Sequence, residues 1–187
     1  MANLDAAFGL RPLGKGGGPY DGQTLECFIP TASTTTDVFI GDVVKIGAAS
    51  STLGHPGVVV ITGAKDQAFG VVTSFRATPK DLEIQYGKKA TERICQVILA
   101  DSTTFYEVQA DGLMEAGDVG LNGELALNAG SAVTGISGYE LSANTVTTSI
   151  GDMFQIFGFV DRPDNDLTLT NAKVIVRFND KADRVGA

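Results

Sequence analysis

The chain has no tryptophan, one histidine and only two cysteines in 187 residues. A zinc site or a hydrolytic triad built on His55 needs partners at ligand spacing, and the Leu53-Gly54-His55-Pro56-Gly57 stretch supplies none. Cys27 and Cys95 are too few for a disulfide framework and, set among apolar residues, read as small buried hydrophobes. There is no C-x-x-C, H-E-x-x-H, G-x-S-x-G or Walker pattern. No apolar run reaches the ~18–20 residues of a membrane-spanning helix. The N-terminus lacks the basic region and continuous apolar core of a secretory signal. Positive charge is scarce: 14 Lys and Arg stand against 22 Asp and Glu, for a net charge of −8. A body of that charge repels phosphate backbones, and the densest basic stretch, Lys88-Lys89 with Arg93, is interrupted by Glu92. Neither nucleic acid nor a membrane is an expected partner, and no catalytic residue, metal or other cofactor is expected.

Glycine is abundant, with 23 residues, and Thr and Ser are frequent while strong helix formers are sparse. That bias favours strands and tight turns. Residues 22–30 alternate, with Leu25, Cys27 and Ile29 on one face, and Pro30 closes the run. Residues 38–47 read as two short strands or one bent strand, with Gly41-Asp42 at the bend. Further strands are expected at 58–62, 68–72, 93–100, 103–110, 153–160 and 173–178, with a weak one in 139–149. Between 111 and 138, glycines separate short apolar pieces. Residues 78–83 fit either a helical turn capped by Thr78 or a loop. Asp161, Asp164, Asn165 and Asp166 surround Pro163 as turn formers; their spacing lacks the glycine and glutamate of an EF-hand loop. Gly-Asp corners recur at Gly41-Asp42, Gly117-Asp118 and Gly151-Asp152, a faint internal echo that common turn chemistry also explains. Evenly spaced short strands with glycine-rich turns predict an all-β fold, a compact β-barrel or a jelly-roll-like sandwich.

The first twenty residues stand apart. Leu4, Ala6, Ala7, Phe8, Leu10 and Leu13 make them too apolar for a solvated tail, and Gly14-Lys15-Gly16-Gly17-Gly18-Pro19 makes them too flexible to fold alone. The pattern predicts an extended N-terminal arm over 1–20, hinged at Gly14, Gly16, Gly17, Gly18 and Pro19. A β-rich body over 21–178 and a polar tail over 179–187 would follow. Leu4, Phe8, Leu10, Arg11, Pro12 and Leu13 are the expected contact residues. Burying four large apolar side chains does not offset the ordering of such an arm, so backbone hydrogen bonds, by strand addition to a partner's sheet edge, are expected as well.

The opening residues 1–12, MANLDAAFGLRP, followed by Gly14-Lys15-Gly16-Gly17-Gly18, resemble the start of capsid decoration, or cement, proteins of tailed double-stranded-DNA bacteriophages. Ile40-Gly41-Asp42-Val43-Val44 and Ala68-Phe69-Gly70-Val71-Val72 resemble their bodies more loosely. The resemblance implies a structural virion protein made in the host cytoplasm and placed on the outer capsid surface. There it would bind the major capsid protein and stabilise the head against packaged DNA. It also implies a homo-oligomer, a trimer in many such proteins, whose copies reinforce one another's grip. Two other readings remain. One is a minor head or tail protein, or a carbohydrate-binding adhesin using Tyr20, Tyr86, Tyr106 or Tyr139. The other is a hydrolase on a β scaffold acting through His55 or Asp164.

Overall fold

The structure, a computed structural model, describes residues 3–31, 35–47, 51–78 and 82–179. The expected helical turn at 78–83 and the tail beyond Asn179 fall largely outside these residues. The chain is almost entirely β. Its strands are β1 (Arg11–Lys15), β2 (Gly18–Pro19), β3 (Leu25–Ile29), β4 (Val43–Ile46) and β5 (Val58–Val60). Next come β6 (Gly70–Phe75), β7 (Arg93–Leu99) and β8 (Thr104–Gln109). Three two-residue strands follow, β9 (Asn122–Gly123), β10 (Leu125–Ala126) and β11 (Glu140–Leu141), and then β12 (Phe154–Phe159) and β13 (Lys173–Phe178).

Two antiparallel sheets carry the fold. The larger has the order β2-β1-β8-β13-β12-β9 and the smaller β3-β7-β6-β4-β5, with β10 and β11 forming a separate ribbon. Strand alternation sets the packing of the larger sheet. Val174, Val176 and Phe178 of β13 turn inward beside Tyr106 and Val108 of β8 and Phe154 and Ile156 of β12. Phe178 packs against Phe154 and Tyr106, with ring centroids 4.6 and 5.5 Å apart. The other face carries Phe105, Phe157, Arg177 and the half-buried Ile175.

The smaller sheet is buried on both sides. Val43, Val71 and Ile98 join the core shared with the larger sheet, whereas Val44, Val72, Val97, Cys27 and Cys95 form a second cluster. This explains the continuous apolar pairs Val43-Val44, Val71-Val72 and Val97-Ile98, since a strand covered on both faces has no polar side to present. The sheet curls until its edges meet, where Phe28 N–H donates to Pro56 C=O at 2.9 Å and Phe28 bridges Gly57. The fold is therefore an all-β sandwich whose smaller layer is bent towards a barrel.

The expected division between arm and body at residue 20 needs correction. β1 is an integral strand, paired with β8 from Arg11↔Glu107 to Lys15↔Thr104, and Leu10 ahead of it is 2% exposed in the main core. Gly14 to Pro19 do not form a hinge. Lys15 pairs with Gly18 across the two-residue loop Gly16-Gly17, whose φ angles of +57° and +88° suit the mirror-image turns that join twisted antiparallel strands. Asn179, assigned to the tail, is tied in through its side chain to Asp152 C=O and Asn122 Oδ1.

The Gly-Asp corners do not share a backbone. Gly41 has φ +96°, while Gly117-Asp118 lies in a 3-10 turn (Ala116–Asp118). Cys27 and Cys95 face each other across β3 and β7 as buried free thiols. Desolvation pushes the Cys27 thiol up to about 12 and raises Cys95 as well, so both are inert neutral groups at physiological pH.

Candidate interaction surface

The N-terminal segment lies across the body, held by side chains more than by backbone ladders. Asn3 is its first fixed point. Its Nδ2 donates to Asp166 C=O at 2.8 Å and Thr170 C=O at 2.9 Å, and its Oδ1 accepts from Asp166 N–H at 2.7 Å. The loop it grips is closed from the other side by Asn165, which bonds Val160 C=O and both backbone groups of Lys173. The acidic turn expected at 161–166 thus serves as a clasp. Asp166 caps Thr168 through Oδ1, and Arg162 bridges to buried Glu107 at 2.7 Å and to Asp164 at 3.3 Å.

Gln109 is the second fixed point. Fully buried on β8, it accepts from Ala6 N–H through Oε1 at 3.2 Å and donates through Nε2 to Asp5 Oδ1 at 3.1 Å and Glu140 Oε1 at 2.9 Å. Burial raises the Glu140 carboxyl against the opposing pull of its bonds from Gln109 and Asn128.

Gly9 and Gly41 form the third. Leu10 N–H donates to Gly41 C=O at 3.0 Å. Gly9 has φ +68°, and a Cβ on it would stand 2.5 Å from Gly41 O, while one on Gly41 would stand 2.6 Å from Phe8 O. Two glycines are needed because the two backbones touch.

The expected contact residues are distributed unevenly over this frame. Leu4 is 73% exposed and Leu13 is 38% exposed, at the bulge between Pro12 and Gly14. Arg11 is exposed with its guanidinium 4.5 Å from the Phe8 ring centroid. Phe8 and Pro12 are half-buried and line a shallow cavity of about 250 Å³ with Ile40, Val72 and Ile136. Leu10 is committed to the core and reaches only the wall of this cavity. Over Gly14 and Lys15 both edges of β1 are taken, by β8 and β2, and Pro19 at the sheet edge has no N–H to offer, whereas Arg11 and Pro12 pair with β8 alone.

The outer face of the larger sheet supplies a second apolar area. Phe105 and Phe157 meet edge to face at 4.8 Å, and the Arg177 guanidinium lies 5.0 Å from the Phe157 centroid. Phe157 remains 49% exposed.

Sequence reasoning did not single out Asn3 or Gln109, whose importance comes from long-range contacts that leave no local pattern. The residues expected for other chemistries are scattered. His55 Nε2 lies 3.2 Å from Glu26 Oε1, far along the chain from Asp164, and Tyr20 bonds the Gln23 carbonyl. Among the described residues no group of three or more His, Cys, Asp or Glu side chains is placed to hold a metal ion, and no helix is long and apolar enough to cross a membrane. No protein-family model, curated protein or solved structure matches the chain.

Proposed function

We propose that the chain is a structural virion protein, a capsid decoration protein that binds the outer surface of the major capsid protein lattice and stabilises the head. In this reading it is not an enzyme, and it works as a homo-oligomer, a trimer by preference.

One observation carries the reading: an exposed apolar residue, Leu4, on a segment already clamped at Asn3 and Gln109. A free arm would lose most of its conformational freedom on binding, whereas a clamped one has little left to lose. The segment is thus suited to be a preformed contact ridge. The exposed Leu13, the Arg11–Phe8 pair and the half-buried Pro12 continue it along the same stretch of chain. The acidic surface adds solubility at the high copy number a capsid needs. Several copies per oligomer would turn modest contacts into a stable attachment, by factors of ~10²–10⁴.

The test is co-sedimentation of purified protein with heads that lack it, from the particle whose genome encodes the chain. Saturable binding in fixed proportion to the coat protein is expected, with weaker binding by Leu4→Asp. Absence of binding to such heads would refute the proposal.

A further inference from the structure

The β12 edge of the larger sheet carries two surfaces of opposite charge that do not satisfy each other within one chain. The first is the outer-face patch of Phe105, Phe157 and Arg177. The half-buried Arg177 donates through Nε and Nη2 to Gln155 Oε1 at 3.0 and 2.8 Å, and through Nη1 to Ser102 C=O at 3.3 Å. Its guanidinium lies 5.0 Å from the Phe157 centroid. All of these partners are neutral. Among the described residues no carboxylate forms an ion pair with it, although the chain carries a net charge of −8. A cation is thus fixed in place, partly out of water, beside an exposed ring and without a counter-ion. Such a site favours a carboxylate with an apolar neighbour.

The second surface is the loop from Asp111 to Gly120, between β8 and β9. Leu113 is 52% and Val119 43% exposed, and Glu115 between them is exposed as well. Among the described residues neither Glu115 nor Asp118 is paired with a Lys or Arg. The loop is held in shape from within. Met114 is buried in the main core, Asp118 Oδ2 accepts from Glu115 N–H at 2.7 Å, and Asp118 N–H donates to Glu115 C=O at 3.0 Å. A preformed loop has little freedom to lose on docking.

Both surfaces sit at one edge. Gly120 N–H donates to Ile156 C=O at 2.8 Å, and Ile156 N–H donates to Leu121 C=O at 2.9 Å. Gln155, which holds Arg177, also donates through Nε2 to Gly120 C=O at 3.4 Å. β9 covers only Phe154 and Gln155, so no strand of the sheet flanks Phe157 to Phe159 on that side.

We propose that a second copy of this chain covers the patch, its loop 113–119 laid on Phe157 with Glu115 against Arg177. Charge complementarity selects this occupant, because the patch is cationic and aromatic and the loop anionic and aliphatic. The contact joins two different surfaces, so it repeats head to tail from copy to copy and can close a cyclic oligomer. It rests on the homo-oligomer reading above and assigns the surface through which the copies meet.

The experiment measures the mass of the full chain by sedimentation velocity from micromolar to millimolar concentration. An oligomer that strengthens with concentration is expected. Phe157→Asp and Leu113→Asp, both at exposed positions, are each expected to weaken it about tenfold or more with unchanged circular dichroism. Arg177→Glu and Glu115→Arg are each expected to weaken it, and the double variant to recover most of the loss. Arg177 also serves the sheet through Gln155, so Glu115→Arg and the two aspartate variants carry the test if Arg177→Glu does not fold. A chain that stays monomeric up to millimolar concentration overturns the proposal, while a monomer can still pass the head-binding test of decoration. An oligomer unaffected by Phe157→Asp and Leu113→Asp overturns this surface and keeps the homo-oligomer. Phe157→Asp that spares the oligomer but abolishes binding to heads gives the patch to the coat protein and overturns the proposal as well.

Discussion

Gly9 and Gly41 hold each other in place: each has a positive φ, and each lies so close to the other's strand that a methyl group on either would overlap a backbone carbonyl. This contact joins the N-terminal segment to the bend ahead of β4 and fixes where Leu10 enters the core. Gly9→Ala therefore combines a left-handed alanine, at about 1–2 kcal/mol, with a backbone collision. A loss of about 2–4 kcal/mol is expected in urea denaturation, with Gly41→Ala similar. The neighbouring Gly22, which also has a positive φ but open space around it, is expected to cost less when changed to alanine.

Leu4 and Leu10, six residues apart in the same apolar stretch, have opposite duties. Leu10→Ala removes a side chain packed in the main core and is expected to cost about 2–5 kcal/mol of stability. Leu4→Ala at an exposed position is expected to change stability by no more than about 0.5 kcal/mol. Denaturation midpoints of the two variants check this, and binding to heads should show the reverse order for any variant that folds.

Asp42 makes stability depend on pH in an unusual direction. Burial pushes its carboxyl from 3.8 up to about 7 in the folded chain. Between those values the folded state holds a proton that the unfolded state has released. Stability is therefore greatest below about pH 4, with respect to this group, and declines as pH rises to about 7, by an order of ~4 kcal/mol over the whole window. Glu140, also raised by burial, acts in the same sense. Asp66, held down to about 2 chiefly by Lys45, acts oppositely and only at lower pH. Urea midpoints of the native chain are expected to fall from pH 4.5 to 7.5, and Asp42→Asn is expected to flatten that slope.

Truncation separates the two halves of the N-terminal segment. Removing residues 1–8 deletes the clamp at Asn3 and the contact to Gln109 but spares Leu10 and β1, so a folded chain is expected. Removing residues 1–15 takes Leu10 and exposes the edge of β8, and a fall in Tm of about 10 °C or more, with aggregation, is expected. Thermal unfolding followed by circular dichroism distinguishes them.

The strands of the body were legible because their alternation and glycine punctuation are local. Val174, Val176 and Phe178 point inward as their spacing implies, and residues 93–99 and 104–109 fall inside the expected strands. The N-terminus is ambiguous in the sequence for a physical reason. Its short apolar run and triple glycine fit a hinged arm as well as they fit a strand and a two-residue turn, and only the pairing with β8, some ninety residues later in the chain, decides between them. The Gly16-Gly17 pair was the one local clue to a hairpin. Exposure of Leu4 and burial of Leu10 are likewise tertiary facts. So is the clasp at Asn3, whose three bonds reach residues 163 and 167 positions away.

The proposal of capsid decoration predicts a visible outcome in an electron cryomicroscopy reconstruction of heads assembled with this chain. An ordered layer of these two-sheet bodies is expected on the outer capsid surface, in fixed ratio to the coat protein, with the stretch from Leu4 to Leu13 against it. A capsid exterior without that layer, or the chain found at a single site of the head or tail, would contradict it.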